Sequence, residues 1–82
     1  MEYTIVDVRT RAEYAGGNVA VSVNIPLNEI ADREDEIRGM QPVLFCCLSG
    51  GRSGQATQYF KSKGIDCENG GGWMEVNARV NA

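Results

Sequence analysis

One stretch of the 82-residue chain combines a nucleophile, a glycine-bearing turn and a cation: Phe45-Cys46-Cys47-Leu48-Ser49-Gly50-Gly51-Arg52-Ser53-Gly54. Open α/β sheets bind ligands outside the carboxyl ends of their strands, and here an apolar strand delivers a thiol to that edge. Successive backbone N–H groups in a turn that leads into a helix make an anion-binding concavity, to which the helix dipole adds partial positive charge. A cysteine at that point, with Arg52 close by, has its ionised sulfur favoured over the neutral thiol. The planar donors of arginine also suit an oxyanion. Histidine is absent from the chain. The usual general base of cysteine hydrolases and the commonest metal ligand are therefore missing, and the loop itself must activate the thiol.

Neighbouring residues on a strand project to opposite sides, so only one of Cys46 and Cys47 can lead the turn. Cys47 is the candidate nucleophile, with Leu48, Ser49, Gly50, Gly51, Arg52 and Ser53 as the substrate-binding loop. Cys46 is expected in the core, and Cys67 is expected to be structural. The three cysteines contain no CxxC pair and lack the spacing of a zinc site or a disulfide framework. Thiol chemistry or plain burial remains, with no metal.

The elements that would position this loop follow from pattern. Residues 3–9 are rich in β-branched and aromatic types and predict a first strand. Thr10 and Glu13 have capping-box spacing, so a short helix opens there and ends near Gly16 and Gly17. Residues 19–25 alternate as a second strand until Pro26. Residues 28–38 turn helical, with Asn28 as N-cap, Leu27, Ile30 and Ile37 on one side, and Gly39 beyond the end. Residues 43–47 form the most continuous apolar run, expected at the centre of a parallel sheet. A helix over 52–63 should bury Ala56, Tyr59 and Phe60 and close at Gly64. Residues 65–69 read as a weak last strand and 70–72 as a flexible turn. A short helix then sets Trp73, Val76 and Val80 at apolar spacing, with Trp73 a packing residue. Strands alternating with helices predict a small three-layer α/β domain, its mostly parallel central sheet flanked by helices.

Composition narrows the function classes. Net charge is -3 and the basic residues are scattered, which lacks the electrostatic footprint of a nucleic-acid binder. No apolar run approaches the roughly 20 residues of a membrane span, and no signal-peptide core is visible. The expected compartment is cytoplasmic for the chain as it stands and periplasmic if a leader precedes it. A chain of this size makes one domain, so one site must carry the chemistry, and burying only about 60% of its unfolded surface it is expected to be modestly stable.

At the loop the sequence resembles the rhodanese family, whose active-site loop starts at a strand-end cysteine and reaches an arginine five positions later. Cys47-Leu48-Ser49-Gly50-Gly51-Arg52 matches it residue by residue. Asp7-Val8-Arg9 with Glu13-Tyr14 looks like the family's first strand and following helix, Asn24-Ile25-Pro26-Leu27 like its second-strand motif, and Gly71-Gly72-Trp73 like its closing segment. Asn18 stands where the family often has histidine, and Cys46 where an aromatic residue often precedes the nucleophile. Length and tail make the chain most similar to compact single-domain rhodaneses of the phage-shock E kind. The resemblance implies a single domain over 1–82 that transfers sulfane sulfur. Cys47 would take sulfur from thiosulfate or a similar small anionic donor as a persulfide, and pass it to cyanide or a thiol acceptor. The loop amides would cradle the persulfide, Arg52 would position the anion, and Asp7 would orient the loop. No cofactor, nucleic acid or membrane is implied, and a monomer is expected.

Counting from Cys46 instead, Arg52 lies six positions on and Ser53 follows, which resembles the loop of cysteine phosphatases and arsenate reductases. A longer loop accommodates a tetrahedral oxyanion, whereas the shorter one fits a terminal sulfur. A third alternative is an inactive rhodanese-like module used for protein interaction.

Overall fold

A computed structural model describes residues 2–82. The elements are β1 (Thr4–Asp7), α1 (Arg11–Ala15), β2 (Val23–Asn24), a 3-10 turn (Leu27–Glu29), α2 (Glu34–Arg38), β3 (Val43–Cys47), α3 (Gly51–Lys61), β4 (Cys67–Gly72) and α4 (Trp73–Val80). The four strands make one sheet in the order β2-β1-β3-β4, with every pairing parallel. All five residues of β3 are buried, as a doubly covered central strand requires.

The pleat of β3 divides the core in two. Val43, Phe45 and Cys47 face a cluster with Ile37 of α2 and Ala56 and Phe60 of α3, where the Phe45 and Phe60 rings stack at 5.7 Å. Leu44 and Cys46 face the other way, against Ile5, Val19 and Val76, with Trp73 and Val80 of α4 at the edge. This is the three-layer α/β architecture that the alternation of elements implies.

Several boundaries differ from the sequence pattern. The second strand shrinks from 19–25 to Val23–Asn24, because Ser22 N–H turns back to the Val19 carbonyl at 3.1 Å and Val21 takes a left-handed φ of 65°. The helix expected over 28–38 breaks into the 3-10 turn and α2, and Asn28 lies inside the turn rather than capping it. α2 starts only at Glu34, where Glu34, Asp35 and Glu36 occupy the first turn and complement the helix dipole. Ile30 and Ile37 are nonetheless buried as expected. Tyr59 is exposed rather than buried, lying edge-on to Phe60 with Lys63 over its ring. α3 ends at Lys61 with Ser62 as its C-cap, short of the expected closure; Gly64, with φ 79°, ends the turn that follows, where Ile65 N–H donates to the Phe60 carbonyl.

The largest correction concerns the glycine run. Residues 70–72 are not a flexible turn but part of β4, which runs Cys67–Gly72 instead of 65–69. The register with β3 shifts between Phe45 and Cys46, so that Gly70 is passed over. A Cβ on Gly70 would come within 2.9 Å of Val76 and 3.0 Å of Leu44, and one on Gly72 within 2.8 Å of the Leu48 carbonyl. Close approach, not mobility, is what these glycines supply.

Candidate active site

α3 begins where β3 ends, and the turn between them wraps around the Cys47 sulfur. Gly50 is the N-cap of α3 with φ 107°, a conformation open to glycine and strained for other residues. That twist aims the Gly50 N–H at Cys47 Sγ, 3.0 Å away. Ser53, fully buried on the first turn of α3, has its hydroxyl 3.4 Å from the same sulfur. Burial pushes the Cys47 thiol up. Hydrogen bonds from the Ser53 hydroxyl and from the amides of Ser53, Gly50 and Ser49 outweigh it and bring the thiol down from 9.0 to about 7. Sulfur at this position is thus held as an anion near neutral pH without a histidine.

Cys46 has the opposite surroundings. Its side chain lies on the other face of the sheet, fully buried, and burial followed by the charge of Asp7 pushes its thiol up to about 12. It neither leads the loop nor ionises in the ordinary range. This geometry gives no support to a phosphatase-like register headed by Cys46. Cys67 is buried too, its thiol pushed up by burial and its Sγ 3.6 Å from the Thr57 carbonyl.

Asn69 of β4 braces the loop, and the sequence pattern did not single it out. Its Nδ2 donates to the Gly50 carbonyl at 3.0 Å, while its Oδ1 accepts from Ser53 Oγ at 2.7 Å and from Gly71 N–H at 3.0 Å. A peptide group is planar, with C=O and N–H pointing in opposite directions. Fixing the Gly50 carbonyl therefore also fixes the N–H of Gly51 away from Asn69. A hydroxyl carries one proton, so Ser53 can give it to Asn69 or to the sulfur but not to both at once. The signal that could have revealed Asn69 was its place beside the glycines of β4, obscured by reading that segment as a turn.

Arg52 stands at the loop rim, about one-third exposed. Its guanidinium is held by Glu13 in a two-pronged ion pair, Nη1–Oε1 2.7 Å and Nη2–Oε2 3.0 Å. Glu13 also completes the capping box of α1 with Thr10. The Arg52 guanidinium, with the Thr10 amide helping, lowers the Glu13 carboxyl to about 2. Of the remaining loop residues, Leu48 is 60% exposed, and Ser49 and Gly51 are also exposed. Asp7 is not in the loop's hydrogen-bond network. Its buried carboxylate binds Arg9 through the backbone amide, Nε and Nη2 at 2.8–3.0 Å. Arg9 in turn reaches the Gly17 carbonyl at 2.7 Å and lies over the Trp73 ring at 4.9 Å. The Asp7 charge nonetheless acts through space on Arg52, as one of the smaller contributions that raise the guanidinium.

An open groove of about 400 Å³ adjoins the rim, lined by Val8, Thr10, Pro26, Leu27, Asn28 and Arg52. Val8 also belongs to the hydrophobic cluster that contains Cys47, and the partly buried Leu27 packs against that cluster.

A parallel three-layer sheet with a buried thiol at the mouth of an amide-lined loop defines a class of small α/β domain built around one activated cysteine. The family description "Rhodanese-like domain" matches residues 1–78, and the chain belongs to that family. It is 38% identical over 60 residues to YqhL, an uncharacterized protein of Bacillus subtilis, covering 73% of this chain and 48% of that one. A sulfurtransferase of Allochromatium vinosum is 38% identical over 60 residues, covering 73% of this chain and 56% of its own. The chain thus spans about half the length of these relatives. The human single-domain sulfurtransferase superposes with a TM-score of 0.72 at 29% identity, covering 90% of this chain and 80% of that one.

Proposed function

We propose that the protein is a sulfurtransferase in which Cys47 carries sulfane sulfur as a persulfide. The observation that carries this reading is the Cys47 sulfur itself, held at the N-terminus of α3 by the Gly50 amide at 3.0 Å, with hydrogen bonds that bring its thiol down to about 7. The thiolate attacks the outer sulfur of thiosulfate or a similar donor. The sulfur–sulfur bond of the donor breaks, sulfite or its counterpart leaves with the electron pair, and a Cys47 persulfide remains. Ser53 can then turn its proton from Asn69 to the sulfur as charge demands. Attack by cyanide or a thiol on the outer sulfur returns the Cys47 thiolate. Family membership supports this reading, as do the sulfurtransferases among its relatives.

The test is an intact mass after thiosulfate treatment. A gain of one sulfur atom at Cys47, removed by cyanide, is the expected result. A mass that stays unchanged while the thiol remains free to alkylation would overturn the assignment.

A further inference from the structure

Asn69 lies against the first turn of α3 with a different partner at each end of its side chain. Its Oδ1 accepts from the Gly71 N–H at 3.0 Å. A backbone amide can only donate, so this end is the oxygen and the other is the nitrogen, 3.0 Å from the Gly50 carbonyl. Ser53 Oγ stands 2.7 Å from the same Oδ1 and must be the donor there. The Cys47 sulfur is 3.4 Å from that hydroxyl, a longer contact even allowing for the larger radius of sulfur. Ser53 therefore gives its single proton to Asn69 and turns a lone pair to the sulfur. Gly54 leaves room for this arrangement, since a Cβ there would stand 3.3 Å from Asn69 Nδ2. A lone pair suits a neutral S–H, which can donate to it, and the inner sulfur of a persulfide, which carries little charge. It does not suit a thiolate, whose charge calls for the proton.

We propose that Asn69 is a positioning residue for the chemistry of Cys47: it competes with the sulfur for the Ser53 hydroxyl proton, so that the hydroxyl turns to Cys47 when the sulfur ionises and back to Asn69 when a persulfide replaces the thiolate. No covalent bond changes in the turn. The hydroxyl rotates about its Cβ–Oγ bond, and the proton lost by Cys47 goes to solvent. Asn69 thereby favours the neutral and the sulfur-loaded forms over the bare thiolate. The part that concerns the persulfide rests on the sulfur-transfer reading, and the part that concerns ionisation does not.

The experiment follows the pH midpoint of alkylation at the Cys47 peptide, by mass spectrometry, in wild type, Asn69→Leu, Ser53→Ala and the double variant. Leucine is close to asparagine in size and accepts no hydrogen bond, and Asn69 is exposed, so the fold should hold; urea unfolding checks it. The other charged or titratable groups near this sulfur, Arg52 with its partner Glu13, Asp7, Cys46 and Cys67, are the same in all four proteins. Asn69→Leu should lower the midpoint with Ser53 present, relative to the same substitution in Ser53→Ala, by about 0.5–1 on the pH scale, the difference between hydrogen bonds to charged and to neutral partners. Comparing the two backgrounds cancels the loosening of the Gly50 carbonyl, which both share. Asn69→Asp keeps an acceptor there and strengthens it, so it should give a difference of the opposite sign, and it carries the test if the leucine variant unfolds. A leucine effect equal in the two backgrounds, or more upward with Ser53 present, would leave Asn69 as a brace for the turn and overturn the inference. After thiosulfate treatment, cyanide should remove the sulfur adduct about three- to tenfold faster from Asn69→Leu than from wild type, and no faster from the double variant than from Ser53→Ala. Adducts of equal lifetime would overturn the part of Asn69 in the loaded state. If wild type forms no sulfur adduct, sulfur transfer itself fails, while the alkylation midpoints still decide whether Asn69 competes for the proton.

Discussion

Cys46 and Cys47 are consecutive on one strand, yet they occupy two different chemical environments. On one face of the sheet Cys46 packs among Ile5, Val19, Leu44 and Val76, and burial beside Asp7 holds it as a neutral thiol. On the other face Cys47 meets the turned amides of a helix N-terminus, and its anion is favoured. Both residues are almost fully buried, at 0% and 1% exposure, so burial alone does not decide reactivity. What separates them is whether donors accompany the burial: an unaccompanied thiol is driven neutral, and one supplied with N–H and O–H groups is driven to ionise.

The largest effect should come from exchanging each sulfur for oxygen. Cys47→Ser should lower sulfur transfer by at least about a thousandfold and remove the sulfur adduct, because serine forms no persulfide. Cys46→Ser should keep most of the activity and lose roughly 1–2 kcal/mol of stability, since a hydroxyl is costlier than a thiol to bury in this largely apolar cluster. Paired turnover and urea unfolding measurements check both. An active Cys47→Ser and an inactive Cys46→Ser would reverse the comparison and point to the Cys46 register.

A second way to break the contrast is to leave both sulfurs in place and damage the donors. Gly50→Val forces a β-branched residue to φ 107° and sets its Cβ about 3.3 Å from Gly71 Cα, so the turn must change shape. Turnover should fall by about a hundredfold, as expected when reacting groups move by the order of an ångström. Circular dichroism should still show a folded domain, with strain on the order of 1–3 kcal/mol. Undiminished turnover in the folded variant would mean that the Gly50 amide is not part of the sulfur site.

The same contrast shows what was legible in the sequence. The apolar run of β3, the capping box at Thr10 and Glu13, and the switch from strand to helix at Gly50 and Gly51 are local signals, and the structure follows them. The alternation of Cys46 and Cys47 across the sheet follows from the period of a strand. Contacts between segments distant in sequence were not legible. Glu13 reads as a helix cap, and only the fold carries Arg52, 39 positions on, to the same carboxylate. Asn69 looks like a residue before a loose turn until β3 and β4 are paired with a shift at Gly70. The second strand failed for a related reason, since alternation in residues 19–25 gave no warning that Val21 turns left-handed.

The pH dependence of stability is the most direct measure of the two environments, because the two thiols should change stability with pH in opposite senses. Cys47 titrates lower in the fold than when unfolded, at about 7 against 9.0. Its contribution to stability is therefore fully present above about pH 9 and is lost as pH falls through 7. Cys46 titrates higher in the fold, at about 12 against 9.0, so its contribution is present below pH 9 and is lost as pH rises through 12. Between pH 7 and 9, wild type should gain stability relative to Cys47→Ser, by roughly 1.4 kcal/mol for each unit of separation between folded and unfolded titration. Over the same interval wild type and Cys46→Ser should keep a constant difference. Unfolding in urea at pH 6, 7, 8 and 9 measures this, and alkylation of Cys47 should rise through a midpoint near 7 in the same samples. A flat difference for Cys47→Ser, with an alkylation midpoint near 9, would show that the loop donors do not hold the sulfur as an anion.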